Sequence, residues 1–212
     1  MGIKNVKIDW INHLVGLLGV LFGVLIAFWL SNWSDEKRAE ATLEVALVNI
    51  KSEVSRNDAN LDTIFNNNLK LYEFLGKYLK SVDAEMNVTA TDQVWKSLQR
   101  QYPEYLEDEG SEVRLDLDLF QLSDVAWSAA HRTDAFSSMD YNLAFALEKS
   151  YDLQARLSEF DGSLINDLKG INNTRESFLN LYRTLGFALG IATNLREDNY
   201  TELMQMIDQY LE

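Results

Sequence analysis

The chain has 212 residues, 47% of them hydrophobic and 25% charged, a composition that excludes a disordered tail as the main form and suffices for one hydrophobic core. Its net charge of −14 argues against nucleic acid and against an anionic membrane surface as partners, since both attract positive charge. The absence of cysteine removes disulfides, thiol catalysis and thiolate metal sites, and a single proline with ten glycines suits long helices rather than many turns.

Residues 1–11 read as a short tail with too little material to fold. The segment that follows organises the rest. Between Asp9 and Asp35 no residue carries a formal charge when His13 is neutral, and Leu14 to Leu30 contains nothing more polar than the Trp29 indole. A spanning helix needs roughly 20 mostly apolar residues, and Trp10, Trp29 and Trp33 flank the core as interfacial aromatics do. Residues 12–33 are therefore expected to form one transmembrane helix in the lipid bilayer. A cleaved signal peptide is the weaker reading, because the exit Phe28-Trp29-Leu30-Ser31-Asn32-Trp33 is bulky where a cleavage site needs small residues. Gly16, Gly19, Gly23 and Ala27 recur at steps of three and four, which puts them on one helical face. Gly19-x-x-x-Gly23 is a spacing that lets membrane helices approach closely, so this face is the candidate contact with a protein partner or a second copy.

Residues 34–212 are expected to form an acidic helical bundle. With Lys4, Lys7 and Asp9 set aside, 17 basic and 32 acidic residues remain beyond Ser34, a net charge of −15. Ser34 either caps a new helix or lies within one that runs straight through. Leu43, Leu47, Ile50, Val54, Asn57, Leu61, Ile64, Asn68, Leu71, Leu75 and Tyr78 then alternate steps of four and three. This heptad-like, coiled-coil-type stripe predicts a helix to about Leu79, with a bend or break expected near residues 57–60. A short helix is expected over residues 91–101, ended by Tyr102-Pro103, with an acidic turn at Glu107-Asp108-Glu109-Gly110. Val113, Leu115, Leu117 and Leu119 alternate with polar residues. Without a partner strand, that pattern predicts an extended packing segment.

Ser123-Asp124 should open a helix through Trp127 to about Arg132, and Ser137-Ser138 should cap the next, residues 139–169. Gly170-Ile171-Asn172-Asn173-Thr174 reads as a helix stop and restart. The helix at residues 175–195 carries Gly186-x-x-x-Gly190, a small-residue pair expected at a close crossing inside the domain. Asn199 or Thr201 should start the last helix. The expected architecture is all-α: one spanning helix continuing into a long helix, then a bundle of about four long helices with short accessory pieces.

Raw material for chemistry is sparse. His131 is the only histidine beyond residue 34, too little for a histidine metal site or a Ser–His–Asp triad. Asp116-Leu117-Asp118 lacks the glycine and terminal glutamate of a calcium loop, and phosphate-binding glycine patterns are absent. No catalytic residue, cofactor or metal is expected, and the chain reads as a non-enzyme. The stretch around Trp127 differs in texture. Small alanines interleave with Trp127, Tyr141 and Tyr151, and these rings with Gln154 are expected to pack at a helix–helix corner or to meet a partner there.

The apolar span closing in Asn32-Trp33, followed by Ala126-Trp127, Ala130, Ala135, Met139-Asp140-Tyr141, Tyr151 and Gln154, resembles an uncharacterised group of bacterial single-pass membrane proteins. The resemblance implies a bacterial cell-membrane location and no assigned activity or substrate. The expectation for function is a membrane-anchored scaffold or accessory subunit binding other proteins. The alternative is an extracytoplasmic ligand-binding or sensing bundle acting through a partner. Lys4 and Lys7 with the amino terminus balance Lys37, Arg38 and Lys51 across the span. Long acidic domains translocate regardless of such counts, so the bundle is expected in the periplasm, with the cytoplasm as alternative.

Overall fold

The computed structural model describes residues 10–106, 113–133, 136 and 139–212, with side chains from residue 14 onward. Residues 1–9 of the expected tail, the acidic turn at 107–110, and Ala135 and the Ser137-Ser138 cap lie outside the described residues, while the tail's Trp10 and Ile11 already belong to the first helix. Among those described, the chain is helical with no strand: α1 (Trp10–Ser81), α2 (Asp92–Gln101), α3 (Val125–Ala130), α4 (Tyr141–Lys169), α5 (Arg175–Asn194) and α6 (Thr201–Leu211). Helix α1 is unbroken over 72 residues, about 108 Å at 1.5 Å per residue. Ser34 starts nothing new, because the Glu-, Lys-, Arg- and Ala-rich residues after it are strong helix formers. Residues 57–60 do not interrupt the helix either. The Asn57 amide is bonded to groups outside its own turn and so does not compete for the local backbone.

The two ends of α1 live differently. Residues 14–38 are exposed along their whole length, and this apolar stretch is long enough to cross a membrane. From Leu43 onward the heptad stripe turns into a core: Leu43, Leu47, Ile50, Val54, Leu61, Leu71 and Leu75 are fully buried. Helix α4 runs in the same direction as α1, so that Tyr151 reaches Glu53 and Gln154 reaches Asn57. Helices α5 and α6 run back the other way. Arg175 bonds the Leu79 carbonyl, Tyr182 stacks on Tyr72 at 4.4 Å, Arg196 pairs with Asp62 and Asp208 with Lys51. The bundle is thus α1, α4, α5 and α6, with α2 and α3 as accessory pieces.

Three local readings need correction. Asp140 caps α4, its carboxylate accepting from the Asn142 and Leu143 N–H groups at 2.8 and 3.3 Å, so the helix starts at Tyr141. The last helix does begin at Thr201, but without a capped break: α5 flows into α6 through a π-helical turn, Leu195–Tyr200. Asn199 spends its cap-like amide on the Asn194 carbonyl within that widened turn. Of the α5 glycines, only Gly186 sits at a close approach. A Cβ there would come 3.0 Å from the Tyr72 ring, whereas one at Gly190 would meet nothing within 4 Å.

Residues 113–124 form the extended packing segment, which runs antiparallel along α1. Apart from an isolated bridge between Leu106 and Val113, the ladder is replaced by side chains. Asn68 donates to the Asp118 carbonyl at 2.8 Å and accepts from the Asp118 N–H at 3.0 Å. Asn57 does the same for Ser123, at 2.7 and 2.9 Å. The two polar interruptions of the α1 stripe are the anchors of this strap. Eleven helical residues advance about 16 Å and five extended residues reach at most about 17 Å, so the anchor spacings match.

Candidate functional site

The strap delivers α3 onto α1, and a closed polar cluster lies beneath it. Glu53 is only 1% exposed. Its carboxylate accepts from the Ser123 hydroxyl (2.7 Å), the Ala126 N–H (2.8 Å), the Trp127 N–H (3.3 Å) and the Tyr151 hydroxyl (2.8 Å). Burial alone would push this carboxyl up. The donors from Ala126, Ser123, Tyr151 and Trp127 outweigh it and hold Glu53 below the usual carboxylate range. Gln154 accepts from Asn57 Nδ2 (3.2 Å) and from the Tyr200 hydroxyl (2.5 Å), while its own amide donates to the Ser123 carbonyl (3.2 Å). Burial pushes the Tyr151 and Tyr200 hydroxyls well up, so both stay neutral donors.

Two turns beyond Gln154 along α4, Asp161 accepts from the buried Phe120 N–H at 2.8 Å. Here burial dominates and the carboxyl is raised. The strap is therefore held at Asp118 by Asn68, at Phe120 by Asp161, and at Ser123 by Asn57, Gln154 and Glu53.

The Trp127 and Tyr151 rings stack at 4.8 Å and 4°. Phe136 stands edge-on to Trp127 at 5.0 Å, and His131 stacks on Phe136 at 4.3 Å. Gln154 is buried beside them. Tyr141 is not part of this corner. It is 78% exposed and stacks only loosely on Phe145, at 6.5 Å. Ten helical residues leave it about 80° from Tyr151 around α4, enough to carry it from the packed face into solvent.

Two open hollows flank α3. One of about 510 Å³ lies between α1 and α3 and is lined by Val45, Asn49, Arg56 and Ala129 among others. The other, about 460 Å³, is lined by His131, Glu148, Asp152 and the Trp127 and Tyr151 edges. Gly16, Gly19 and Gly23 lie on the exposed apolar end of α1, where a Cβ on any of them would meet nothing within 4 Å among the described residues, and Ala27 is exposed on the same stretch. No group of three or more metal-ligating side chains occurs among the described residues.

Chemically, the Glu53 cluster is a latch. The carboxylate's acceptor positions are filled from within the chain, so it has no free lone pair with which to take a substrate proton. Asn57 and Asn68 were visible in the sequence as polar breaks in an apolar stripe; Asp161 was not marked out there. Glu53 carried no such mark. Comparison with known protein families, with curated proteins and with solved structures finds no match for this chain.

Proposed function

We propose that this chain is a membrane-anchored, non-enzymatic scaffold or accessory subunit that holds its acidic bundle beside a bacterial cell membrane for other proteins to bind. The observation that carries the reading is the unbroken α1. Its exposed apolar end and its buried core stripe are parts of one rod, with no linker between them. An anchor built this way fixes the height and rotation of the bundle, as a scaffold requires and a tethered enzyme does not. The internally filled Glu53 cluster supports the non-enzymatic part. The proposed span is residues 12–33, and the proposed site of the bundle is the periplasm. Crosslinking the full chain in native membranes, followed by mild-detergent purification and mass spectrometry, should recover a stable protein complex. Recovery of the chain without a crosslinked protein would defeat the scaffold reading.

A second reading, a ligand-binding bundle, is favoured by the two hollows beside α3. A small molecule seated there would bear on α1 next to Glu53, and the rod would carry the displacement toward the membrane. A small molecule copurifying with the chain would support it.

A further inference from the structure

We propose that the hollow between the end of α1 and α2 binds a small phosphate-bearing molecule, its phosphate held by Lys77, Lys80 and Arg100. The inference goes beyond the scaffold reading and stands whether or not the apolar segment crosses a membrane.

The chain builds this corner locally. Helix α1 ends at Ser81 and α2 starts at Asp92. The turn between them folds back on itself, since the Thr89 and Ala90 N–H groups both donate to the Ser81 carbonyl, at 2.8 and 3.3 Å. Leu98, only 5% exposed, packs α2 against the core. The hollow left between the two helices has about 770 Å³, within the roughly 300–1,000 Å³ of small-molecule sites.

Its charge is unlike that of the rest of the bundle. Beyond Ser34 acids outnumber bases by 32 to 17, yet the charged side chains lining this hollow are Lys77, Lys80 and Arg100, with no carboxylate among them. The hollow beside the strap shows the ordinary mixture, Lys70 and Arg114 with Glu104, Asp116 and Asp118. Lys80 and Arg100 form no ion pair among the described residues. Lys77 is set in place by neutral groups. Its Nζ donates to Gln101 Oε1 and to the Tyr102 hydroxyl, both at 2.9 Å, and lies 4.9 Å from the centre of the Tyr102 ring. An ammonium has three N–H groups, so one is left to face a ligand. Acids on the same elements are engaged elsewhere. Glu73 stands behind Tyr102, accepting from its hydroxyl at 3.4 Å, and Asp83 accepts from the Glu85 and Asn87 N–H groups of the turn.

Ammonium and guanidinium groups only donate, so the ligand must be rich in acceptors. A guanidinium fork matches phosphate oxygens bidentately, and lysines serve beside it as point charges. A phosphate ester brings about two charges and three acceptor oxygens to such a set, where a carboxylate brings one charge. Val94, 52% exposed at the edge of the hollow, offers apolar surface to the organic part of the molecule. Height rules out a lipid headgroup as the source of the phosphate. Lys77 lies about 66 Å along the unbroken helix from Trp33, far from any bilayer that residues 12–33 cross.

The full chain in mild detergent is titrated with sodium pyrophosphate by isothermal titration calorimetry, at low salt and without divalent metal. Binding should saturate at one site per chain and weaken as salt screens the cations. Lys80→Gln combined with Arg100→Gln should weaken it at least ten-fold. Lys70→Gln combined with Arg114→Gln, which removes the same charge beside the strap, should change it less than two-fold. The charge-keeping pair Lys80→Arg and Arg100→Lys should stay within three-fold of the parent, which separates lost charge from a disturbed fold. Heats that do not saturate, or equal weakening by the two glutamine pairs, would overturn the site. Tighter binding of citrate than of pyrophosphate would overturn the assignment to phosphate. Each of these failures leaves the scaffold reading standing, because crosslinking in membranes tests that reading without any anion.

Discussion

Glu53 and Asp161 are both carboxyls withdrawn from water, yet their surroundings push them in opposite directions. Four donors hold Glu53 below its ordinary range, whereas burial against the single Phe120 N–H leaves Asp161 raised. A depressed carboxyl adds stability above its unfolded value, and that contribution is lost as pH falls through the folded value; a raised one costs stability as pH climbs through its folded value. Glu53→Gln should therefore destabilise the chain at pH 7, by about 1.5–3 kcal/mol for lost bonds to a charged group. Asp161→Asn should stabilise it at the same pH. Both differences should shrink as pH falls below about 4, where the unfolded carboxyls also bind protons. Urea unfolding of the full chain in mild detergent from about pH 3 to 8 checks the pair, and two variants shifting in the same direction at pH 7 would contradict the assignment. Trp127 belongs to the same latch, stacked on Tyr151 and nearly buried. Trp127→Ala should cost about 3–5 kcal/mol, a large share of a typical stability of roughly 5–15 kcal/mol. An unchanged melting temperature with loss of a bound partner would make the ring a recognition element instead.

The strap and the glycine pair carry the lessons at the level of elements. Asn68→Ala removes both bonds to the Asp118 backbone, leaving a partly buried donor and acceptor unmet at about 1–3 kcal/mol. Limited proteolysis should then cut within residues 113–122 faster than in the parent; an unchanged cleavage pattern would mean Asp161 and Asn57 suffice. Gly186→Ala and Gly190→Ala gain the same helix propensity, so their difference isolates packing. An added methyl at Gly186 presses on a Tyr72 ring already stacked on Tyr182, and one at Gly190 enters open space. Gly186→Ala should be the less stable of the two by about 1–3 kcal/mol. The helices themselves were legible because burial repeats every three to four residues: α1, α4 and α5 follow their apolar stripes closely. The strap was legible only as an alternating segment. Its partners are side chains on a helix eleven residues apart, a pairing that no local pattern announces. The π turn was read as a cap because Asn199 and Thr201 are residues that also begin helices. Glu53 was invisible for the same physical reason that it is stable, since its four partners come from α3, the strap and α4, and none is near it in sequence.

For the whole molecule, the rod of α1 makes topology a single question. The bundle is joined to the apolar segment without a linker, so every residue from 43 onward lies on one side of any membrane that residues 12–33 cross. The chain's last helix supports a clean assay. Helix α6 runs antiparallel to α1, and the Lys51–Asp208 pair brings its end back toward the apolar segment. Among the described residues only α1 is long and apolar enough to cross a membrane, so a reporter fused after Glu212 reports the side of the bundle. The flanking positive charges balance, with Lys4 and Lys7 against Lys37 and Arg38, and Lys37 is bound to Glu40 at 2.6 Å. That contact ties one of the two bundle-side cations to an acid, and the acidic bundle beyond contributes little to retention, because long domains translocate largely regardless of charge. The expected outcome is active alkaline phosphatase after Glu212 and a dark fluorescent protein at the same point, which places the bundle in the periplasm. The reverse pair of results would put it in the cytoplasm, where an extracytoplasmic ligand would have no route to the hollows beside α3.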